Sequence, residues 1–233
     1  MRYGSGAHGE GVCSVTEILT ERVSAPNVWT GEELADAGRW IIRFTEEDFA
    51  DMAREGVWLA KAGFGAFATP YDYEPFVAMA KRNNMVTMVH TGGSSIPGSA
   101  GIWADHVLKM KADVSYHVNG GPIAMPDRDF PRLVNESNIA MQVCTAGNLR
   151  TALLVADLLK KAGRYDRLLI ATDTPTGSGV MPLGMLHTMS HLAALGGVEP
   201  EIAVGMATGN NAKNLSVEQR CSRCRTRCRY YSC

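Results

Sequence analysis

The segment Met85-Val-Thr-Met-Val-His90 is a short apolar run that ends in a histidine. A run of this length is too short for a helix and is typical of a buried β-strand. A helical pattern follows, and then Asp113-Val-Ser-Tyr-His117 repeats the arrangement, again ending in a histidine. Strand, helix and strand in this order predict two parallel strands joined by a helix.

The same alternation continues on both sides of this segment. Helical patterns lie between the runs, and one of them begins after the capping residue Thr45 and ends before Gly56. Such an order indicates an α/β protein with a parallel sheet covered by helices. The predicted strands are Arg39–Phe44, Val57–Lys61, Met85–His90, Asp113–His117, Ile139–Cys144 and Arg167–Asp173.

Two architectures fit this order, a barrel and a doubly wound sheet. Gly63-Phe-Gly65 lacks the third glycine of the dinucleotide-binding motif, which argues against the second. Polar residues stand at the carboxyl ends of four predicted strands, and in a barrel those ends meet at one mouth. The sequence therefore predicts a TIM-type (β/α)8 barrel with a site formed by Lys61, His90, His117 and Asp173.

Each of the four residues also has a structural interpretation. A single strand-end histidine is more often a hydrogen-bonded core residue than a ligand. Asp173 precedes Thr174-Pro-Thr-Gly177 and could start a turn. Together, however, they bring imidazoles and a carboxylate to one mouth, and these are ligands that zinc prefers. His187 and His191 are spaced i,i+4 without the glutamate of a His-Glu-x-x-His motif, and we expect them outside the barrel.

Composition limits the function classes. The chain has 233 residues, of which 45% are hydrophobic and 20% are charged, as expected for one globular domain. No run of about 18 apolar residues and no apolar N-terminal signal segment occur, so we expect a cytoplasmic protein without a membrane span. The net charge is -1, but the arginines are concentrated near the C-terminus. The remaining body is acidic, which argues against nucleic-acid binding by the body.

The C-terminal segment differs from the rest of the chain. It contains four cysteines, Cys221, Cys224, Cys228 and Cys233, among five arginines. Four thiolates could hold zinc and the arginines could contact nucleic acid, but the spacing is shorter than in structural zinc sites. We expect a partial barrel over residues 1–213 and an unrelated, unstructured Arg/Cys-rich tail over residues 214–233.

The motifs His90-Thr-Gly-Gly-Ser-Ser-Ile-Pro-Gly98 and His117-Val-Asn-Gly-Gly-Pro122, with Met206-Ala-Thr-Gly-Asn210, resemble the amidohydrolase superfamily. Within it they resemble the enamidases, which open a cyclic enamide in nicotinate fermentation. The similarity spans roughly Gly38–Ala212. It implies a barrel of the metal-dependent hydrolase kind, which hydrolyses a carbon-nitrogen bond of an amide or cyclic enamide in a small molecule.

The resemblance also implies roles for individual residues. Two divalent metal ions, with zinc as the expected metal, would share a bridging hydroxide, and an N-carboxylated Lys61 would bridge them. His90 and His117 would hold the second ion, while Asp173 would bind the first and act as the proton shuttle. From their position in the segments that follow His90 and His117, we also expect Thr91 and Asn119 to contact the substrate.

Two departures from the family pattern lead to an alternative. The enamidases carry glutamate where this chain has Lys61, and the first-strand His-x-His pair of the family has no counterpart here. We therefore expect six of eight strands, with strand one missing and an open edge beside Arg39–Phe44. The chain alone should be inactive and prone to associate, and a homo-oligomer is one outcome. The alternative is a truncated or non-catalytic barrel that binds at most one metal.

Overall fold

The computed structural model describes residues 12–14, 45–62, 69–93, 100–120, 123–173 and 180–216. Within these residues, parallel strands form one six-stranded sheet whose order follows the chain. Because every strand pairs with its predecessor, the connectivity is that of a barrel, without the reversal of a doubly wound sheet. The predicted α/β fold with a parallel sheet is confirmed. The strands are β1 (Val12–Ser14), β2 (Leu59–Ala62), β3 (Val86–His90), β4 (Val114–Tyr116), β5 (Ala140–Cys144) and β6 (Leu168–Ala171).

The helices begin where the sequence provides capping groups. Thr45 and Asp48 form a capping box at the start of α1, and the Asn148 side chain accepts a hydrogen bond from Thr151 N at the start of α5. The helices are α1 (Glu46–Arg54), α2 (Glu74–Arg82), α3 (Ala104–Met110), α4 (Phe130–Glu136), α5 (Leu149–Lys161), α6 (Gly184–Gly196), α7 (Pro200–Ala207) and α8 (Gly209–Asn214). Short 3-10 turns cover Pro70–Tyr73, Asp127–Asp129 and Tyr165–Arg167.

The sheet is apolar on both faces. Met141 and Val143 of β5 pack in the large cluster formed with the helices, whereas Ala140 packs with Val86 and Leu169 in a second cluster. Since alternate residues of a strand face opposite sides, the second cluster is the inside of the barrel. Burial of both faces explains why the strands read as nearly continuous apolar runs.

The strand next to β2 differs from the sequence-based expectation. The predicted strand Arg39–Phe44 lies outside the described residues, and β2 pairs instead with Val12–Ser14, with Val12 opposite Leu59. Three residues are too few to show a periodicity, so the pattern analysis missed this strand. The expectation that Arg39–Phe44 lies next to the strand at Leu59–Ala62 is therefore corrected, and β1 is the edge of the sheet over the described residues, whereas an open edge beside Arg39–Phe44 stays a prediction.

The opposite edge of the sheet, at β6, is covered by side chains. Asn210 Nδ2 donates to Leu168 O at 2.9 Å, and Asn211 Nδ2 donates to Ile170 O at 3.0 Å. The two carbonyl groups are two residues apart, so both point away from β5. Among the residues described here, no strand pairs with this edge. The two amides thus occupy acceptors that a further strand would use.

A buried arginine ties α4 to β6. Arg167 is 2% exposed, and its guanidinium donates to Leu133 O, Val134 O and Ile139 O at 2.8 to 2.9 Å. Two of these carbonyl groups belong to the last turns of α4, where helical partners run out. Burial lowers the pKa of Arg167, but a guanidinium stays charged in proteins. Arg167 therefore acts as a charged cap on α4.

The C-terminal end of the described chain closes on the barrel, since Leu215 packs against the inner apolar cluster. Residues 217–233 lie outside the described part, so the unstructured tail and its alternative, a zinc-binding module, stay predictions. In the described ranges, no helix combines the length and apolar character needed to cross a bilayer.

Candidate active site

The four strand-end residues come together at one mouth of the sheet. The rings of His90 and His117 meet edge to face with centroids 4.4 Å apart. Lys61 Nζ lies 3.7 Å from the centroid of the Tyr116 ring, and Tyr116 Oη donates to Asp173 Oδ1 at 2.9 Å. Tyr116 therefore links the lysine and the carboxylate to the histidine pair.

Two of these residues follow their strands in an unusual backbone conformation. His117 has φ 32° and Asp173 has φ 59°, in the left-handed region that non-glycine residues rarely adopt. The predicted strands ending at His117 and Asp173 are thus corrected to end at Tyr116 and Ala171. In β4, strict alternation would point Tyr116 inward and His117 outward. The left-handed turn instead brings the His117 ring against both His90 and Tyr116.

Both histidines are neutral at pH 7. Burial, with the nearby His117 and the positive charge of Lys61, lowers the pKa of His90 to about 3. Burial and the charge of Lys61 lower the pKa of His117 to about 4. His117 Nδ1 is buried and has no hydrogen-bond partner among the described residues. Neutral imidazole is the form that binds a metal ion.

The lowered pKa values predict how pH affects the metal-free chain. Histidines in the unfolded chain take up protons below about pH 6.5, whereas the buried pair resists protonation until pH about 4 and 3. The unfolded state therefore binds more protons in this window, and stability should fall as the pH falls below about 6.5. Urea unfolding in a chelating buffer at several pH values measures this dependence of the free energy of unfolding on pH. A His90→Gln/His117→Asn variant should show a flatter dependence, and an equally steep one would assign the effect to other groups.

Tyr116 is a site residue that the sequence analysis missed. It contacts Lys61, His117 and Asp173, yet in the sequence it is one aromatic residue within an apolar run. Burial, and then the negative charge of Asp173, raise the pKa of Tyr116. The phenol therefore stays protonated and donates continuously to the carboxylate. Alternation along the strand could have identified it: Tyr116 lies two residues after the inner residue Val114, so its side chain is expected to face the inside of the barrel.

We expect Tyr116→Phe to lower the free energy of unfolding by about 1–2 kcal/mol, because a partly buried carboxylate loses its donor while the ring contacts remain. Tyr165→Phe is the matched control, since the buried Tyr165 hydroxyl has no hydrogen-bond partner among the described residues. Urea unfolding of both variants measures the difference. Equal effects would contradict a specific bond to Asp173.

Cys144 also faces Asp173 and was not singled out from the sequence. Its thiol donates to Asp173 Oδ2 at 4.0 Å, and burial, with the charge of Asp173, raises the pKa of Cys144 to about 12. The thiol is therefore protonated at neutral pH. The two oxygens of Asp173 accept from different neighbours, which orients the carboxylate.

Thr91 and Asn119 are buried beside this mouth and are engaged with protein groups. Thr91 Oγ1 and Ser115 Oγ share a hydrogen bond of 2.6 Å. Asn119 Nδ2 donates to Cys144 O, and Asn119 Oδ1 accepts from Cys144 N, both at 2.9 Å. The two Asn119 bonds hold the segment after β4 against the end of β5. Contact of Thr91 and Asn119 with substrate stays a prediction.

The loop after β3 needs glycine at Gly92. Its φ is 105°, and a Cβ atom there would lie 2.4 Å from Ile123 O. Gly92 and Gly93 form isolated bridges with Ile102 and Ile123, respectively. The glycines of this motif therefore allow a close backbone crossing beside the candidate site.

Some of the side chains at the mouth are suitable ligands for a metal ion, and others are not. Two neutral imidazoles in contact are suitable ligands, and Asp173 adds a carboxylate nearby. Lys61, as an amine, is not a suitable ligand, and its charge lowers the pKa of both histidines. Within the described residues, no three His, Cys, Asp or Glu side chains are gathered closely enough to hold an ion. The histidine pair is thus the part of the site that fits.

Parallel strands in chain order, with the polar residues of one site at their carboxyl ends, define a protein of the (β/α)-barrel class. No family model matches the chain. Over 168 residues, however, it is 41% identical to enamidase from Eubacterium barkeri, a match covering 72% of this chain and 44% of that protein. The chain is a homologue of enamidase and belongs to the amidohydrolase superfamily. The resemblance inferred from the sequence is confirmed.

Solved structures agree with this assignment. The crystal structure of enamidase, described as a member of the amidohydrolase superfamily, matches with a TM-score of 0.70 at 39% identity, covering 75% of this chain and 46% of that one. A probable 2-pyrone-4,6-dicarboxylic acid hydrolase from Acinetobacter baumannii, with citric acid bound, matches with a TM-score of 0.51 at 12% identity over 85% of this chain and 86% of the other. The second match supports the fold alone. The chain spans less than half the length of enamidase.

Proposed function

We propose that this chain carries the second metal site and the proton-transfer residue of an enamidase-like hydrolase, which cleaves a carbon-nitrogen bond of a small amide or cyclic enamide. The observation that carries the proposal is the contact between two neutral imidazoles, His90 and His117, beside Asp173 in an enamidase homologue. Zinc is the expected metal, because imidazole and carboxylate ligands suit it.

The residues of the mouth have distinct roles in this proposal. His90 and His117 would hold a divalent ion through their neutral rings. Divalent ions, when bound, supply Lewis-acid activation of water and of the scissile carbonyl group. N-carboxylation of Lys61 would replace its ammonium group with a carboxylate and remove the positive charge that faces Tyr116.

Asp173 would move the proton. A carboxylate oxygen of Asp173 accepts the proton of the attacking water and returns it to the departing nitrogen, which makes the amine a better leaving group. The hydrogen bond from Tyr116 holds one carboxylate oxygen, so the orientation of the group is set before substrate arrives.

Metal binding by the chain tests the histidine pair. In a variant whose four tail cysteines are replaced by serine, equilibrium dialysis against Zn²⁺ should show an ion that is lost in His90→Ala and in His117→Ala. His106→Ala is the control, because His106 Nδ1 accepts from Trp103 N outside the mouth. Unchanged zinc content in the two site variants would contradict the proposal.

A second candidate function is the non-catalytic barrel that binds at most one metal. It is favoured by Lys61, whose ammonium group lies 3.7 Å from the centroid of the Tyr116 ring and, as an amine, is not a suitable metal ligand. Assay of the chain together with the remaining barrel strands of an enamidase, against a panel of amides and cyclic enamides, separates the two. Ring opening or amine release supports the hydrolase, and a metal-loaded protein without either supports the alternative.

A further inference from the structure

Helix α6 presents an apolar ridge to solvent. Its inner face is buried through Thr188 and Leu192, so the helix is already packed on the barrel. Beside this buried face, the N-cap residue Leu183 and the helical residue Leu195 are 56% and 62% exposed, and His187 and His191 between them are also exposed. Large apolar side chains that stay exposed next to a packed helix face are typical of a surface that contacts a partner. In the described part of the chain nothing covers this ridge.

The ridge residues are related by a simple symmetry. His187, His191 and Leu195 follow each other at i,i+4 spacing and form a row inclined to the axis of α6, and the N-cap residue Leu183 precedes them at the same spacing. Read from either end, the order is Leu, His, His, Leu. An antiparallel copy of the same helix, centred on residue 189, would place His187 opposite His191 and Leu183 opposite Leu195. An isologous two-fold contact requires such self-complementarity.

Charge does not oppose this pairing. The sequence between Asp173 and Glu199 contains no Asp, Glu, Lys or Arg. The ridge residues themselves therefore bring no like charges of Asp, Glu, Lys or Arg together, and the ammonium group of Lys160 lies at the end of α6, where its Nζ donates to Gly197 O. A single helix face is, however, smaller than the surface of about 800 Å² per partner that standard interfaces bury, so apolar contact alone would be weak.

Zinc binding by the histidine pair would add to the weak apolar contact between the two copies. The rings of His187 and His191 have centroids 6.5 Å apart and planes inclined by 39°. Histidines at i,i+4 on one helix face can bind one zinc ion, and zinc prefers four ligands in a tetrahedron. One copy of the described chain provides only two ligands here. The two-fold pairing brings two more.

We propose that α6 forms an antiparallel homodimer contact in which His187 and His191 of both copies bind one zinc ion. This site lies on the outer side of the barrel helices and is separate from the candidate active site. Metal binding adds to the free energy of association because the dimer offers the ion four ligands and so binds it more tightly than the two ligands of one copy do.

The first test is sedimentation velocity of the full chain, with the four tail cysteines replaced by serine, in zinc and in EDTA. Zinc should shift the chain to a dimer and tighten the dimer by about tenfold or more. His187→Ala and His191→Ala should each abolish the shift. His90→Ala/His117→Ala is the control and should keep it, so failure here is distinct from failure of the proposed function. A zinc-dependent dimer that survives loss of His187 and His191 would overturn the proposal, as would a monomer in both buffers.

A charge exchange tests the antiparallel geometry. Leu183→Glu alone and Leu195→Lys alone should each weaken the zinc-dependent dimer by about tenfold, since each buries an unpaired charge. The Leu183→Glu/Leu195→Lys double variant should restore it, because each new carboxylate faces a new ammonium of the other copy. Circular dichroism verifies that each variant folds. A double variant that is weaker than either single variant would exclude the antiparallel pairing.

Discussion

We expect Asp173→Asn to lower the turnover of the proposed hydrolase by about 10²- to 10⁴-fold, the usual contribution of a positioned proton-transfer group. The carboxamide keeps the size of the side chain but cannot accept the proton of the attacking water. His90 and His117 do not depend on this carboxylate for their contact, so an ion bound by the pair, as proposed, should remain bound. Steady-state kinetics together with metal analysis of the same sample measures both quantities.

The control for this variant is Asp157→Asn. Asp157 lies on α5, where its carboxylate is about half exposed and pairs with Lys161. Its replacement should leave turnover unchanged. If the metal-loaded Asp173→Asn protein retained full activity, Asp173 would not be the proton shuttle.

The second large effect concerns stability. Arg167→Met should lower the free energy of unfolding by about 3–5 kcal/mol, because buried carbonyl groups lose a charged donor and no water replaces it. This is a large fraction of the stability of a typical domain. Urea unfolding followed by circular dichroism measures it.

Arg164→Met is the matched control for Arg167→Met. Arg164 is also an arginine near the start of β6, but its guanidinium is partly exposed and bonds to the side chains of Asp166 and Asn138. We expect a loss of less than about 1 kcal/mol, as for other exposed ion pairs. Similar losses in the two variants would show that the three buried carbonyl groups are not what makes Arg167 important.

The fold could be predicted from the sequence because its signals are local and repeated. Short apolar runs alternate with capped helices, and four of the runs end in a polar residue at their carboxyl end. The strand Val12–Ser14 could not be predicted in this way, since its partner Leu59–Ala62 lies more than 40 residues away and three residues carry no pattern. Pairing at that distance depends on tertiary packing.

The site was predictable in its outline but not in its contacts. His90 follows the alternation of β3, so its inward direction agrees with the pattern. His117 does not, because a left-handed backbone turn, which no sequence period encodes, redirects its ring. Tyr116 could be placed on the inner face, but its bond to Asp173 joins residues 57 positions apart. Such bonds depend on the closeness of strand ends in space.

The amides of Asn210 and Asn211 have a consequence for how this barrel can be completed. The carbonyl groups of Leu168 and Ile170 already accept hydrogen bonds from these amides, so a strand that pairs with β6 would have to displace two side-chain donors. Each carbonyl group keeps one partner before and after the exchange, so little hydrogen-bond free energy is gained or lost in it. The two amides therefore cap the β6 edge reversibly. A strand that makes only backbone hydrogen bonds gains little there, whereas a strand that also packs well can displace the amides. Among the residues described, no side chain caps the β1 edge in this way.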